Sequence, residues 1–180
     1  KGRMGNQMFQ IAAAKSLAID NSTEFICSNR VGGHFPTPEE SRLYRESTLR
    51  NVRFETLKQM RYKIHQDPPN FSFKEINYCD NILLDGYYQS EKYFKKHRQE
   101  IIELFKCPEI LQKTINENFL SLINRNNTCS VHIRRGDYLK YKDFHNNLTT
   151  SYYEKCFDLK KDSHLVFFSD DIEWCKETFK

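Results

Sequence analysis

The sequence contains no apolar stretch near the roughly 20 residues that a membrane-spanning helix needs. It also contains no long block of lysine or arginine, and its 180 residues carry a formal net charge of only +4. Such a mild charge argues against a polyanion-binding tail but leaves room for a local anion pocket. With 38% hydrophobic and 29% charged residues, the composition is typical of a globular chain rather than a disordered one.

The sequence has no Cys-x-x-Cys pair and no metal-like spacing of cysteine and histidine. Its six cysteines are scattered, and several, such as Cys27 and Cys156, have apolar neighbours. Buried free thiols in a reducing cytoplasm are therefore favoured over disulfides.

Neither end of the chain has the features of a natural terminus. The first residue, Lys1, is not an initiator methionine, and no apolar signal-peptide region follows it. The last residues, 174–180, have a helical pattern that stops without a cap or tail. We therefore expect a fragment that is truncated at both ends.

Helical and strand-like patterns alternate along the chain. Good helix formers predict a helix over 6–19 with Asn6 as its N-cap. Further helices are predicted over about 91–107, 109–123, 151–159 (capped by Ser151) and 172–179 (capped by Asp171). Strands are predicted over 24–27, 81–88, 129–134 and 164–169, the last buried on both faces. Residues 30–78 are predicted to be an irregular insertion with one or two helices.

This order predicts an α/β fold with a mostly parallel sheet. Ligands of such sheets lie beyond the carboxyl ends of the strands. Three polar clusters lie at such ends or at a helix start, and they comprise residues 3–7, 134–137 and 169–171.

The cluster around Arg134 and Arg135 is suited to binding an anion. Strand alternation places His132 and Arg134 on one face, while Arg135 lies where the strand ends. Guanidinium groups grip phosphate with paired hydrogen bonds and can stabilise a departing nucleoside diphosphate. Asp137 could accept hydrogen bonds from a ribose, a purine N–H or an arginine. The alternative is a surface Arg–Asp network beside a core histidine.

The other two clusters are less specific. Gly5 and Asn6 could bring backbone and amide groups close to an anion at a helix start, or could belong to an ordinary capped loop. The pair Asp170–Asp171, after Ser169, could hold a metal or simply cap a helix. Capping is favoured, because the two arginines already supply the positive charge that phosphates need.

Together, these clusters resemble the α-1,2-fucosyltransferases of glycosyltransferase family 11. Four sequence blocks show the resemblance. They are residues 2–10 (Gly-Arg-Met-Gly-Asn-Gln-Met-Phe-Gln), 86–94 (Gly-Tyr-Tyr-Gln-Ser-Glu-Lys-Tyr-Phe), 132–138 (His-Ile-Arg-Arg-Gly-Asp-Tyr) and 168–175 (Phe-Ser-Asp-Asp-Ile-Glu-Trp-Cys). Arg3 stands where the family motif usually has a second glycine, and a later donor-site block of the family is absent.

The resemblance implies a GT-B type α/β fold with two Rossmann-like domains and parallel sheets. Residues 1–125, with the insertion at about 30–78, would form the amino-terminal, acceptor-side domain. Residues 126–180 would begin the domain that binds GDP-fucose. Without the later block, the isolated segment is expected to be inactive.

The resemblance also implies the roles of the site residues. Arg134 and Arg135 would bind the GDP phosphates, with Arg135 helping the leaving group. The remaining donor-site residues would be Gly5, Asn6, His132, Asp137, Ser169, Asp170 and Asp171. No metal or other cofactor is expected.

The implied reaction is inverting transfer of L-fucose from GDP-fucose to the 2-hydroxyl of a terminal galactose in a glycan such as lipopolysaccharide. A bacterial-type enzyme is expected, cytoplasmic or peripheral at the inner membrane. Three alternatives remain: a related GDP-sugar transferase with another acceptor, a non-catalytic nucleotide- or glycan-binding domain, and a nucleic-acid-binding domain. The small net charge and the lack of a basic stripe disfavour the last.

Overall fold

The computed structural model describes residues 2–29, 36–58, 61–123, 127–141, 143 and 145–179, apart from the side chain of residue 123. Residues 30–35 of the predicted insertion lie outside this range. The fold is α/β, and the chain divides into two compact units, residues 1–111 and 112–180.

Unit 1 contains three α-helices, the start of a fourth, and two small parallel sheets among its described residues. The helices are α1 (Met4–Asp20), α2 (Pro38–Glu46), α3 (Arg98–Leu104) and the first residues of α4 (Glu109–Ile123). The strands are β1 (Cys27–Ser28), β2 (Phe54–Glu55), β3 (Lys63–Gln66) and β4 (Ile82–Asp85). Strand β1 pairs in parallel with β2, and β3 pairs in parallel with β4. Single 3-10 turns lie at Pro69–Phe71, Glu91–Tyr93 and Lys95–His97.

Helix α1 is built from good helix formers, and it buries an alanine-rich face that includes Ala12 and Ala13. Its N-cap is Arg3, so Asn6 lies inside the first turn. The prediction that Asn6 caps this helix was therefore wrong. The helical hydrogen bonds begin earlier than predicted, because the N–H of Gln7 already donates to the Arg3 carbonyl oxygen.

Two apolar clusters form the interior of unit 1. Around the first half of α1, Ile11 packs with Leu49 and Val52. Further along the helix, Ala13 packs with Tyr88 and Tyr93, and Tyr88 is fully buried. The second cluster joins α1 to the segment that follows β4.

The predicted insertion is more regular than expected. It contains α2, which begins with a capping box between Thr37 and Glu40, and the strands β2 and β3. Strand β3 reads Lys-Ile-His-Gln and offers one aliphatic residue, Ile64, so its sequence carries no strand pattern. Backbone pairing with β4 makes it a strand.

Unit 2 contains the remainder of α4, the parallel strands β5 (Thr128–Ile133) and β6 (His164–Ser169), and the helices α5 (Gly136–Lys140), α6 (Thr150–Asp158) and α7 (Ile172–Thr178). Its core consists of Val131 and Ile133 from β5, Tyr153 from α6 and Cys175 from α7. The inward face of β5 therefore alternates as predicted.

Two predictions for unit 2 were wrong. Phe168 in β6 is 56% exposed, so that strand is not buried on both faces. The N-cap of α6 is Thr149 rather than Ser151. The short helix α5 was not predicted, because only five residues are helical there.

Candidate functional site

The strands β5 and β6 end side by side, and this places two of the predicted clusters together. The pair runs in parallel register from Thr128 opposite His164 to Ile133 opposite Ser169. Arg134 and Asp170 each follow directly after a strand end. The carboxyl edge of this pair therefore gathers the arginines, Asp137, Ser169 and both acids of the β6 cluster, as a parallel sheet requires.

The carboxylate of Asp170 fixes the backbone where β5 leads into α5. Its Oδ1 accepts from the N–H of Arg135 at 2.8 Å, and its Oδ2 accepts from the N–H of Gly136 at 3.1 Å. A Cβ added to Gly136 would lie 2.9 Å from Asp170 Oδ2, so glycine permits this approach. Desolvation acts to raise the pKa of Asp170, but hydrogen bonds from the backbone N–H groups of Arg135, Gly136 and Asp170 hold it below its usual value.

The guanidinium of Arg135 is held on two sides. Its Nε donates to Asp171 Oδ2 at 3.0 Å, and its Cζ lies 3.7 Å from the centroid of the Trp174 ring. Asp171 also caps α7 by accepting from the N–H of Trp174, as the sequence predicted. Within the described part of the chain, Nη1 and Nη2 of Arg135 make no hydrogen bond. The side chain is therefore anchored through Nε and its ring contact, while its terminal N–H groups remain available for a further hydrogen bond.

Arg134 has a different partner set. Its Nε and Nη2 donate to the two oxygens of Asp137, at 2.9 and 2.5 Å, and its guanidinium lies 4.7 Å from the centroid of the Tyr138 ring. The hydrogen bonds to Asp137 raise the pKa of Arg134 above its ordinary value. The structure thus places Asp137 on an arginine, the third of the roles that the sequence left open for it.

Among the described residues, two further predicted donor-site residues, Ser169 and His132, make no hydrogen bond with the arginine side chains. The Ser169 hydroxyl accepts from the N–H of Asp171 at 2.9 Å and so shapes the turn into α7. His132 lies on the exposed face of β5, opposite Phe168, and makes no hydrogen bond or ion pair with a described residue. Its ring is neither a core histidine nor part of the arginine network.

The charges of this cluster nearly balance. Two arginines face the carboxylates of Asp137, Asp170 and Asp171, so anions outnumber cations by one. Among the residues that the structure describes, no three His, Cys, Asp or Glu side chains are grouped as metal ligands. Chemically, the arrangement can bind an anion through oriented guanidinium N–H groups.

The remaining predicted site residues, Gly5 and Asn6, lie in unit 1. Asn6 Oδ1 accepts from Gln89 Nε2 at 2.5 Å, and the Asn6 carbonyl oxygen accepts from Gln10 Nε2 at 2.9 Å. Gly5 is exposed, and a Cβ added there would meet no atom of the described residues within 4 Å.

Sequence reasoning missed three residues of these sites. Trp174 and Tyr138 lie against the arginines, and Gln89 holds Asn6. Trp174 could have been found, because the third residue of a helix lies beside the cap residue whose side chain binds its N–H. Gln89 had no local signal, since 83 residues separate it from Asn6.

Comparison with known families decides the classification. The sequence model of Glycosyl transferase family 11 matches residues 1–180, the whole chain. The chain belongs to glycosyltransferase family 11. It is therefore a transferase chain, and the family is the one that the four sequence blocks resemble.

Three curated relatives of this family 11 chain have names that describe glycosyl transfer. The O-antigen biosynthesis glycosyltransferase WbnK of Escherichia coli is 30% identical over 99% of the chain and 73% of its own length. An alpha-1,2-colitosyltransferase of Escherichia coli is 39% identical over 51% of the chain and 33% of its own length. The putative galactoside 2-alpha-L-fucosyltransferase svh-11 of Caenorhabditis elegans is 28% identical over 98% of the chain and 52% of its own length.

The family 11 chain thus spans from a third to about three quarters of these relatives. No solved structure gives a significant match to it. In the part of the chain that the structure describes, no helix has both the length and the apolar character needed to cross a membrane.

Proposed function

We propose that this family 11 chain belongs to an inverting, metal-independent galactoside 2-α-L-fucosyltransferase. It would transfer L-fucose from GDP-fucose to the 2-hydroxyl of a terminal galactose in a glycan. The observation that carries the proposal is the anchored Arg135, whose Nη groups are unoccupied at the carboxyl edge of β5 and β6. A nucleoside diphosphate leaving group needs an oriented cation of this kind.

The proposed reaction is a direct displacement. The acceptor hydroxyl attacks the anomeric carbon of fucose on the face opposite GDP, and a general base takes the hydroxyl proton. The bond between the anomeric carbon and the β-phosphate oxygen breaks, and GDP leaves with the electron pair. Negative charge grows on that phosphate while the sugar acquires oxocarbenium character. Guanidinium contacts that strengthen as the charge grows lower the barrier, which is what catalysis requires.

Within this proposal the site residues divide into ligands and supports. Arg134 and Arg135 bind the diphosphate, and Gly5, Asn6 and the exposed His132 contact the donor as well. Asp137 and Asp171 orient the two arginines through their side chains, while Ser169 and Asp170 fix the backbone turns that carry Asp171 and Arg135. The supports act on the donor through the arginines.

The wider proposal keeps the GT-B fold, with residues 1–125 in an acceptor-side domain and 126–180 in the donor domain. The acceptor class follows two relatives, one named for O-antigen biosynthesis and one for galactoside 2-fucosylation. A lipopolysaccharide-type glycan and a peripheral position at the inner membrane fit that class. The family assignment favours an enzyme over a non-catalytic binding domain.

A colitosyl donor is the second candidate. The relative named alpha-1,2-colitosyltransferase shares 39% identity over half of the chain. An enzyme of this class would use a GDP-linked colitose and keep the same arginine contacts to GDP. The sugar pocket alone would then separate the two candidates.

The test is a transfer assay with the full-length enzyme and lactose as acceptor. GDP-fucose, GDP-colitose and GDP-mannose are supplied in parallel, and the product linkage is determined by NMR. Formation of α-linked 2'-fucosyllactose supports fucosyl transfer with inversion, and its persistence in EDTA supports metal independence. Preference for GDP-colitose would establish the second candidate, and no transfer from any of the donors would overturn both.

A further inference from the structure

One hydrogen bond within unit 1 sets the orientation of the Asn6 amide. Its Oδ1 is occupied by the hydrogen bond from Gln89 Nε2. Its side chain lies over Gly2, where an added Cβ would be 2.4 Å from Asn6 Nδ2, and Gly2 has φ +71°. Gln7 Nε2 donates to the Gly2 carbonyl oxygen at 3.0 Å and holds that turn in place.

The Asn6 side chain therefore has only its NH2 group left for a ligand. An asparagine amide normally offers both a donor and an acceptor, and either can face a ligand after a flip. Here the hydrogen bond from Gln89 occupies the oxygen, and no described residue accepts from Asn6 Nδ2. The group that faces it must be a hydrogen-bond acceptor, such as a phosphate or sugar oxygen.

The backbone that carries Gln89 is itself fixed in place. Asp67, which follows β3, accepts from the N–H groups of Tyr87 and Tyr88 at 2.9 and 2.8 Å. A Cβ added to Gly86 would lie 1.9 Å from the Asp67 Cβ, so only glycine allows the carboxylate to approach. Both contacts pin the chain immediately before Gln89.

Tyr88 fixes the same segment from the other side. It is fully buried although its φ is +52°, an unusual conformation for a residue with a side chain. Its hydroxyl donates to the His65 carbonyl oxygen at 2.8 Å, and its ring packs edge-on against Tyr93 at 5.2 Å. Packing and hydrogen bonding thus maintain a strained backbone next to Gln89.

We propose that Gln89 is a positioning residue that makes Asn6 a one-way hydrogen-bond donor to an acceptor oxygen of the nucleotide sugar. The inference rests on the proposed function, in which Asn6 contacts GDP-fucose. It adds that the contact depends on a side chain 83 residues away, and that the Asn6 oxygen takes no part in it.

The sharpest test is the isosteric variant Gln89→Glu. A glutamate carboxylate cannot donate to Asn6 Oδ1 but can accept from Asn6 Nδ2, so the amide flips and presents its oxygen to the donor. Gln89→Leu removes the hydrogen bond without forcing a flip. We expect the KM for GDP-fucose to rise about threefold in Gln89→Leu and tenfold or more in Gln89→Glu, in line with one lost or reversed hydrogen bond. The KM for lactose should change little.

The variant Asn6→Ala and the double variant with Gln89→Leu complete the design. If Gln89 acts only through Asn6, both changes together weaken donor binding no more than Asn6→Ala alone. Gln112→Glu, an exposed glutamine on α4, controls for the added charge. Thermal unfolding of every variant establishes that it is folded, and Gln89→Glu carries the test if the leucine variant unfolds.

Several outcomes would overturn the inference. These are additive losses in the double variant, a Gln89→Glu no worse than Gln89→Leu, an effect on lactose rather than the donor, or an Asn6→Ala with an unchanged donor KM. The dissociation constants of GDP and GDP-fucose, measured by calorimetry on an inactive Arg135→Ala background for the latter, give readings that do not need turnover and separate a phosphate contact from a sugar contact. A parent enzyme that binds GDP in this Gln89-dependent way but transfers no fucose would refute the proposed function and leave the inference standing.

Discussion

The side chain of Arg135 is held in place by contacts within unit 2. Its Nε is bound to Asp171 and its plane lies on Trp174, so under the proposed function little side-chain entropy would be lost when the Nη groups bind a diphosphate. The sequence placed both arginines at the strand end but could not assign them partners. From the sequence, Asp137 could pair with either arginine. Trp174 lies beyond the next strand, so its contact with Arg135 could not be assigned.

Replacing Arg135 by alanine should reduce turnover far more than it reduces acceptor binding. We expect Arg135→Ala to lower kcat about 100- to 1,000-fold, as for loss of a group that stabilises developing charge, with the lactose KM nearly unchanged. The assay is initial-rate transfer from GDP-fucose. Arg42→Ala, which removes an exposed arginine paired with Glu46, is the matched control. An Arg135→Ala variant with parental kcat would remove this side chain from the mechanism.

Trp174 should matter through the arginine that it carries. Replacing it by leucine removes the cation–π contact, and we expect kcat to fall about tenfold, the effect of a contact worth about 1 to 2 kcal/mol. Phenylalanine keeps an aromatic face and should restore most of the activity. Equal losses in both variants would indicate a packing role in the core of unit 2 rather than support of Arg135.

At the scale of elements, the junction between β5 and α5 depends on a carboxylate from the neighbouring strand end. The sequence predicted the strands and the cap of α7, because hydrophobic periodicity and capping are local signals. It did not predict that Asp170 binds the backbone of Arg135 and Gly136, because that contact depends on the parallel register of β5 and β6.

The glycine at this junction gives a test of the element. In Gly136→Ala the new methyl group would lie 2.9 Å from Asp170 Oδ2, so the carboxylate has to leave the two N–H groups or push them away. We expect a clear loss of kcat, of about tenfold, for the roughly one net hydrogen bond lost, with the fold retained. Leu139→Ala on the exposed side of the same helix is the control. If Gly136→Ala matched that control in kcat, the hydrogen bonds from Arg135 and Gly136 to Asp170 would have no part in activity.

Strand β3 carries a titrating group, the imidazole of His65. Desolvation, assisted by the positive charge of Lys74, lowers the pKa of His65 below its ordinary value of 6.5, while Asp67 opposes the shift. The unfolded chain therefore binds a proton more readily than the folded one as the pH falls below about 6.5. The contribution of His65 to the free energy of unfolding is therefore fully present above about pH 6.5 and decreases as the pH falls below that value.

The corresponding measurement is the free energy of unfolding in urea at pH 7.5 and pH 5.5. The parent should lose stability on acidification, and His65→Gln should lose less of it, because the unfolded-state proton is gone. His164→Gln, at the exposed start of β6, controls for loss of an imidazole. A loss on acidification that is the same in His65→Gln and in the parent would contradict this assignment.

At the scale of the molecule, the chain consists of two units, each with its own apolar core. The α/β class could be predicted from the alternation of patterns. The division of the sheet into two-stranded pieces could not, because β1, β2 and β3 are short and gain their identity from pairing.

The state of the cysteines is a property of the whole chain. All six are free thiols, and burial raises the pKa of Cys27 to about 11. We expect denatured, unreduced protein to take up six alkylating groups by mass spectrometry. In the native protein Cys27 and the buried Cys175 should react last. Fewer than six adducts without reductant would reveal a disulfide and overturn the assignment.

In the proposed reaction, two of the carboxylates around the arginines also bear on the release of the product GDP. Asp137 and Asp171 already neutralise the guanidinium groups, so spent GDP would leave behind a site whose charges are satisfied rather than a naked pair of cations. A diphosphate site that consists of unpaired arginines would release its product slowly. Carboxylates that stay paired with the arginines weaken the binding of GDP and so favour its release. We therefore expect Asp137→Asn to lower the inhibition constant of GDP.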